Sequence, residues 1–181
     1  MIKLTCPVDP EQIKKLRAGD VVYLSGTMYT GRDAAHKRLC ELLENNKELP
    51  IDVNNMAIYY VGPTPAKPGR AIGSAGPTSS YRMDAYTKPL LEQGLKVMIG
   101  KGPRCAELKD WLAEHGAVYM SAIGGAAASI SESVKACEVV AYEDLGAEAI
   151  HKLEIEDFYA IVTYDSVGGD LFADGIKKYK K

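Results

Sequence analysis

GDVVYLSGTMYTGRDAAHKRLCELLENN, residues 19–46, changes its period within a single stretch. The first part, GDVVYL, is apolar and β-branched as a strand requires, and Ser25, Gly26 and Thr27 punctuate it, so the strand is expected to end at Ser25. From Asp33 onward the spacing is helical. Ala35, Leu39, Leu42 and Leu43 recur on one face, Lys37, Arg38, Glu41 and Glu44 point outward, and Asn45 and Asn46 close the run. A strand leading into a helix sets the rhythm of the chain.

Working outward, residues 57–61 form a second short apolar run, followed by a Pro/Gly-rich segment, 62–77, too punctuated for regular structure. Thr78 and Ser79 stand at N-cap positions before a helix over 80–93, with Met83, Tyr86 and Leu90 on one face and Pro89 weakening its centre. The rhythm then repeats. A strand is expected over 96–99, a helix over 104–114 with Leu108, Trp111 and Leu112 inward, a strand over 117–121, and then a Gly/Ala-rich helix start. Residues 139–141 and 158–164 are β-rich, and 172–181 reads as a tail whose last residues, from Lys177, are solvated and basic. Alternating strands and helices predict an α/β fold: a single layered domain over residues 1–181, with flanking helices.

Composition bounds the function. The 181 residues are 46% hydrophobic and 25% charged, as in ordinary globular domains. No apolar run approaches the roughly 20 residues of a membrane span, and residues 1–5 lack the pattern of a signal peptide, so a cytoplasmic location is expected. A net charge of -2 with interspersed signs gives no field for capturing nucleic acid. Cys6, Cys40, Cys105 and Cys137 lie far apart without a CxxC pair; they read as reduced structural thiols and not as metal ligands.

Unusual polar residues gather at three junctions, GTMYTGRDAAHKR (26–38), GPTSSYRMD (76–84) and IGKG (99–102), each expected just after a strand. Glycines there let backbone approach a ligand, and helix N-termini favour anions. Arg32, Arg82 and Lys101 add cations, and the two-donor fork of arginine matches a carboxylate. Two arginines and a lysine suit a substrate with two carboxyl groups. By residue type alone Arg32 and Lys101 read more often as surface charges than as ligands, Thr78 by default as an N-cap, and His36 by default as a helix-surface histidine beside Lys37. Arg82 opposes the dipole of the helix it starts, which points either to a ligand or to pairing with Asp84.

Together, four blocks resemble the beta subunit, or C-terminal domain, of class I fumarases and L-tartrate dehydratases: LRAGDVVYLSGTMYTGRDAAHKRL (16–39), GPTSSYRMDAY (76–86), MIGKG (98–102) and IEDFYAIVTYDSVGGDLF (155–172). The resemblance implies a swivelling β/β/α domain with a mixed sheet. It implies a 4Fe-4S cluster held by cysteines of a partner alpha subunit and not by this chain, and an α2β2 assembly. It makes Arg32 and Arg82 substrate-carboxylate clamps, assisted by Lys101, and Thr78 the base. The chain departs from the family's usual GPTT at Ser79 and from its GKGG at Pro103, which fixes φ in the loop carrying Lys101.

The function so implied is reversible hydration of fumarate to malate by a hydro-lyase active only with its alpha subunit, the isolated chain folding without activity. Removing a proton beside a carboxylate makes a doubly charged group that cations stabilise. A neutral threonine is a very weak base, so Thr78 either works as a stabilised alkoxide or donates a hydrogen bond to the substrate. A tartrate or methylated-dicarboxylate dehydratase would show the same motifs, and a non-catalytic dicarboxylate-binding module would keep the clamp alone.

Overall fold

A computed structural model describes residues 2–123 and 127–180. In chain order they form β1 (Ile2–Cys6), α1 (Pro10–Ile13), β2 (Val21–Thr30), α2 (Asp33–Glu44), β3 (Ala57–Tyr59), α3 (Asp84–Glu92), β4 (Val97–Gly100), α4 (Leu108–His115), β5 (Val118–Ser121), α5 (Ala127–Glu132), β6 (Val134–Ala141), β7 (Ile150–Tyr164) and α6 (Leu171–Tyr179). The strands make one mixed sheet in the order β1-β2-β3-β4-β5-β7-β6. From β1 to β5 neighbours are parallel, whereas β7 is antiparallel to β5, β6 and β2. Because long β7 returns to β2, hydrogen bonding closes through β2, β3, β4, β5 and β7.

Side chains of the short central strands alternate between two cores, as the period of two in a strand requires. Ala57, Tyr59, Val97, Ile99, Val118 and Met120 face one core, shared with Leu24 and Met28 of β2 and Phe158 of β7. Ile58, Met98 and Tyr119 face the other, where Leu39 of α2, Leu90 of α3 and Leu112 of α4 cover them. Burial on both faces is why these strands read as unbroken apolar runs. Helices α2 and α4, expected from periodicity, are present, although α4 starts at Leu108 and leaves Arg104 in the preceding loop.

Several expectations are corrected. The strand does not end at Ser25, since β2 runs on to Thr30. What Gly26 marks is a register shift against β7, with φ +97° and no room for a side chain against the Cys6 carbonyl of β1. No strand forms near Gly76; residue 79 makes only an isolated bridge to Lys101. The helix expected over 80–93 opens as a 3₁₀ turn, Ser80–Met83, before α3. The expected tail is largely helix: Asp170 caps α6 by accepting the Ala173 N–H at 2.9 Å, and Lys177 and Lys178 sit in the last turn, where cations suit the dipole. The β-rich regions are longer than their apolar cores, beginning at Val134 and Ile150. Part of the Gly/Ala-rich helix start, residues 124–126, lies outside the described residues.

Candidate functional site

Backbone hydrogen bonds gather the three polar junctions at the C-terminal ends of β3 and β4. The Gly31 N–H donates to the Tyr59 carbonyl at 3.0 Å, Tyr60 N–H to Ile99 at 2.8 Å, and Thr78 N–H to Tyr60 at 2.7 Å. Ser80 N–H donates to the Lys101 carbonyl at 3.0 Å, and Lys101 N–H returns a bond to Ser80 Oγ at 2.9 Å. Residues 31–32, 78–80 and 101 therefore line one edge of the sheet, at the C-terminal ends of its parallel strands β3 and β4. Gly100 makes the approach possible, because a Cβ there would overlap Ser80 Oγ.

Arg32, at the N-cap of α2, reaches Glu148 with Nη2 at 3.0 Å and lies 3.9 Å from Asp33, while its buried Nε has no hydrogen-bond partner. Arg82 projects from the 3₁₀ turn and bonds Asp33 Oδ2 at 2.9 Å. Asp33 thus joins the two arginines across the edge. Lys101 is exposed, and among the described residues its ammonium makes no ion pair and the Thr78 hydroxyl no hydrogen bond. Among the described residues Arg32 and Arg82 are ion-paired to Glu148 and Asp33, and Lys101 is not ion-paired. The structure brings all four expected residues to this edge.

Three expectations at the site change. Thr78 is not the N-cap; Ser79 holds that place, without a side-chain cap bond. Arg82 pairs with Asp33 and not with Asp84, whose carboxylate is taken by Arg104 Nε. His36 is not on the surface but buried, its edge against Tyr60 with ring centroids 5.2 Å apart. Burial pushes its pKa down to about 4, so it is neutral, and Nδ1, 2.8 Å from the Arg32 carbonyl, carries the proton. It holds the backbone of Arg32. Gly31 leaves it room, since a Cβ there would come within 3.1 Å of the ring. The partners Asp33, Glu148, His36 and Arg104 were not singled out from sequence as site residues. Only the cluster of charged and polar residues in 31–38 hinted at Asp33 and His36, and nothing local links Glu148 to Arg32 across the chain.

The cysteines are all free; Cys6 and Cys40 are buried, Cys105 and Cys137 half-buried. Burial pushes the Cys6 thiol up to about 12 and Cys40 to about 11. Among the described residues no three His, Cys, Asp or Glu side chains gather as a metal site. An iron-sulfur cluster therefore does not fit the groups present here. No helix among them is long and apolar enough to cross a membrane.

The chain is 43% identical over 157 residues to an anaerobic class I fumarate hydratase of Escherichia coli, covering 86% of this chain and 29% of that protein. It is 35% identical over 176 residues to fumarate hydratase 2 of Leishmania major, covering 95% and 31%. A Methanocaldococcus jannaschii protein named as an L(+)-tartrate dehydratase subunit beta is 38% identical over 178 residues, covering 94% of this chain and 91% of that one. The chain thus spans less than a third of the two hydratases, but nearly all of the archaeal subunit. The sequence model described as Fumarase C-terminus matches residues 1–175, and the chain belongs to that family.

Proposed function

We propose that this chain is the beta subunit of a two-part hydro-lyase that reversibly hydrates fumarate to malate, and that its share of the work is to grip the dicarboxylate. The supporting observation is the convergence of Arg32, Arg82, Lys101 and Thr78 on one sheet edge, where Lys101 is not ion-paired among the described residues. Arg32 and Arg82 present planar forks to the two carboxylates, and Lys101 adds a mobile point charge. When the proton beside a carboxylate leaves, that group gains a second negative charge, and the fixed cations stabilise it without reorganising. Thr78 receives the proton. A hydroxyl is too weak a base unless its alkoxide is held by neighbouring cations, so the role depends on Arg82 and Lys101 remaining in place.

In this reading the 4Fe-4S cluster belongs to the alpha subunit of an α2β2 assembly in the cytoplasm, since the cysteines here do not fit it. Residues 1–181 then form one swivelling β/β/α domain. A second reading, an L-tartrate dehydratase subunit, is favoured by the full-length match to the archaeal protein, because the two carboxylates are common to both substrates. The test is to produce the chain together with its alpha partner and assay the pair anaerobically with malate, tartrate and mesaconate. Turnover of malate over tartrate supports the first reading, the reverse supports the second, and turnover by the pure chain alone overturns both.

A further inference from the structure

Behind the carboxylate clamp lies a charge that no step above uses. Arg104 is the only buried lysine or arginine among the described residues, with none of its side chain exposed. Its guanidinium stands over the rings of Tyr60 and Tyr119, 5.5 and 5.0 Å from their centroids. Nε donates to Asp84 Oδ1, and Nη2 donates to Thr87 Oγ1 at 2.7 Å. The other Asp84 oxygen accepts the Cys105 N–H at 3.0 Å. The first residue of α3 is therefore held through both carboxylate oxygens by the segment that follows Lys101.

A buried ion pair is a poor way to gain stability. Withdrawing both charges from water offsets their attraction, and apolar groups of equal volume often do as well. What apolar groups cannot supply is direction, and here the directed bonds run to both sides of the site. Arg82 lies two residues before Asp84, and Lys101 three before Arg104. The hydroxyl of Tyr119, whose ring the guanidinium covers, lies 3.0 Å from both Ser80 Oγ and the Gly102 carbonyl, and Ser80 Oγ accepts the Lys101 N–H.

We propose that Arg104 is a positioning residue that sets the spacing between Arg82 and Lys101. The proposal rests on the dicarboxylate reading of the site. Through Asp84 and Thr87 the guanidinium fixes the turn that carries Arg82; through Tyr119 it steadies the loop that carries Lys101. A substrate held by both ends depends on that spacing, since a shift of about 1 Å can cost roughly a hundredfold in rate.

The test compares Arg104→Met, Arg104→Lys and Asp84→Asn. In the full chain, Arg104→Met leaves the largely buried Asp84 without its partner and is expected to melt roughly 6–20 °C below the parent, while amide hydrogen exchange at Ser80 and Lys101 quickens about tenfold or more beyond that of remote amides. In the two-subunit enzyme, kcat should fall about a hundredfold with KM moving less than about threefold, because Arg32, Arg82 and Lys101 all remain. Arg104→Lys should restore part of both losses, and Asp84→Asn should reproduce them. A merely structural arginine would lower the melting temperature without this split. Exchange at Ser80 and Lys101 that quickens no more than at remote amides in folded Arg104→Met, or undiminished kcat, overturns the proposal. If Arg104→Met does not fold, Arg104→Lys carries the same reading, with parental exchange and kcat as the overturning result. A parent enzyme that turns over none of the dicarboxylates sinks the substrate assignment, whereas the exchange data still decide whether Arg104 sets the spacing.

Discussion

Replacing Arg82 by lysine keeps the charge and removes the planar two-donor fork. Among the described residues the Arg82 guanidinium makes one ion pair, to Asp33, and the two side chains keep 41% and 32% of their surface. A pair this exposed contributes about 0–1 kcal/mol, part of which lysine retains. For a chain of 181 residues that limits the fall in melting temperature to roughly 2–4 °C. Losing a charge-assisted bond to a substrate carboxylate costs more, about 1.5–3 kcal/mol, or roughly ten- to a hundredfold in kcat/KM. The two magnitudes separate cleanly. Calorimetry on the chain and anaerobic turnover by the reconstituted pair would measure them. Unchanged kcat/KM removes Arg82 from the site, and a loss of activity that only tracks a melting temperature lowered well beyond 4 °C makes it a strut of Asp33.

Other substitutions probe the neighbouring residues. His36 has its pKa lowered to about 4 by burial, against 6.5 when free, so between those values the unfolded chain takes a proton that the folded chain refuses. Stability is therefore complete above about pH 6.5 and falls as pH drops toward 4, by up to roughly 3 kcal/mol; His36→Gln should remove this component, and urea melts of parent and variant that run parallel from about pH 7 to 4 would refute it. Gly100→Ala places a methyl on Ser80 Oγ and should cost about 1–3 kcal/mol in thermal unfolding. An unaltered melting temperature would show that the Ser80 contact yields freely. Lys101→Met, at an exposed ammonium without an ion pair among the described residues, should leave melting unchanged and raise KM for the dicarboxylate about tenfold. A KM equal to the parent's would exclude Lys101 from binding.

The alternation of strands and helices and the boundaries of α2 were legible in the chain itself, whereas Arg32, Thr78, Arg82 and Lys101 were marked as candidates by the family resemblance of their motifs. Local patterns carry that information: a period of 3.6 marks the face that Leu39 buries, and an apolar run marks a strand covered on both faces, as at 97–100. Sequence also read Gly26 as punctuation, because a glycine with positive φ looks the same whether it ends a strand or lets β1 approach a continuing one. Pairings between distant segments left no local trace. Nothing in the order of residues says that β7 returns to β2, that Glu148 meets Arg32, or that Arg104 takes Asp84 and leaves Arg82 to Asp33. His36 likewise reads as a polar position on an outward face, and only the packing of Tyr60 and Tyr86 against α2 buries it. Chain order determined which groups are available at the edge of the sheet. Tertiary structure decided which charges neutralise one another and which do not, because ion pairing depends on distances across the fold and not along the chain.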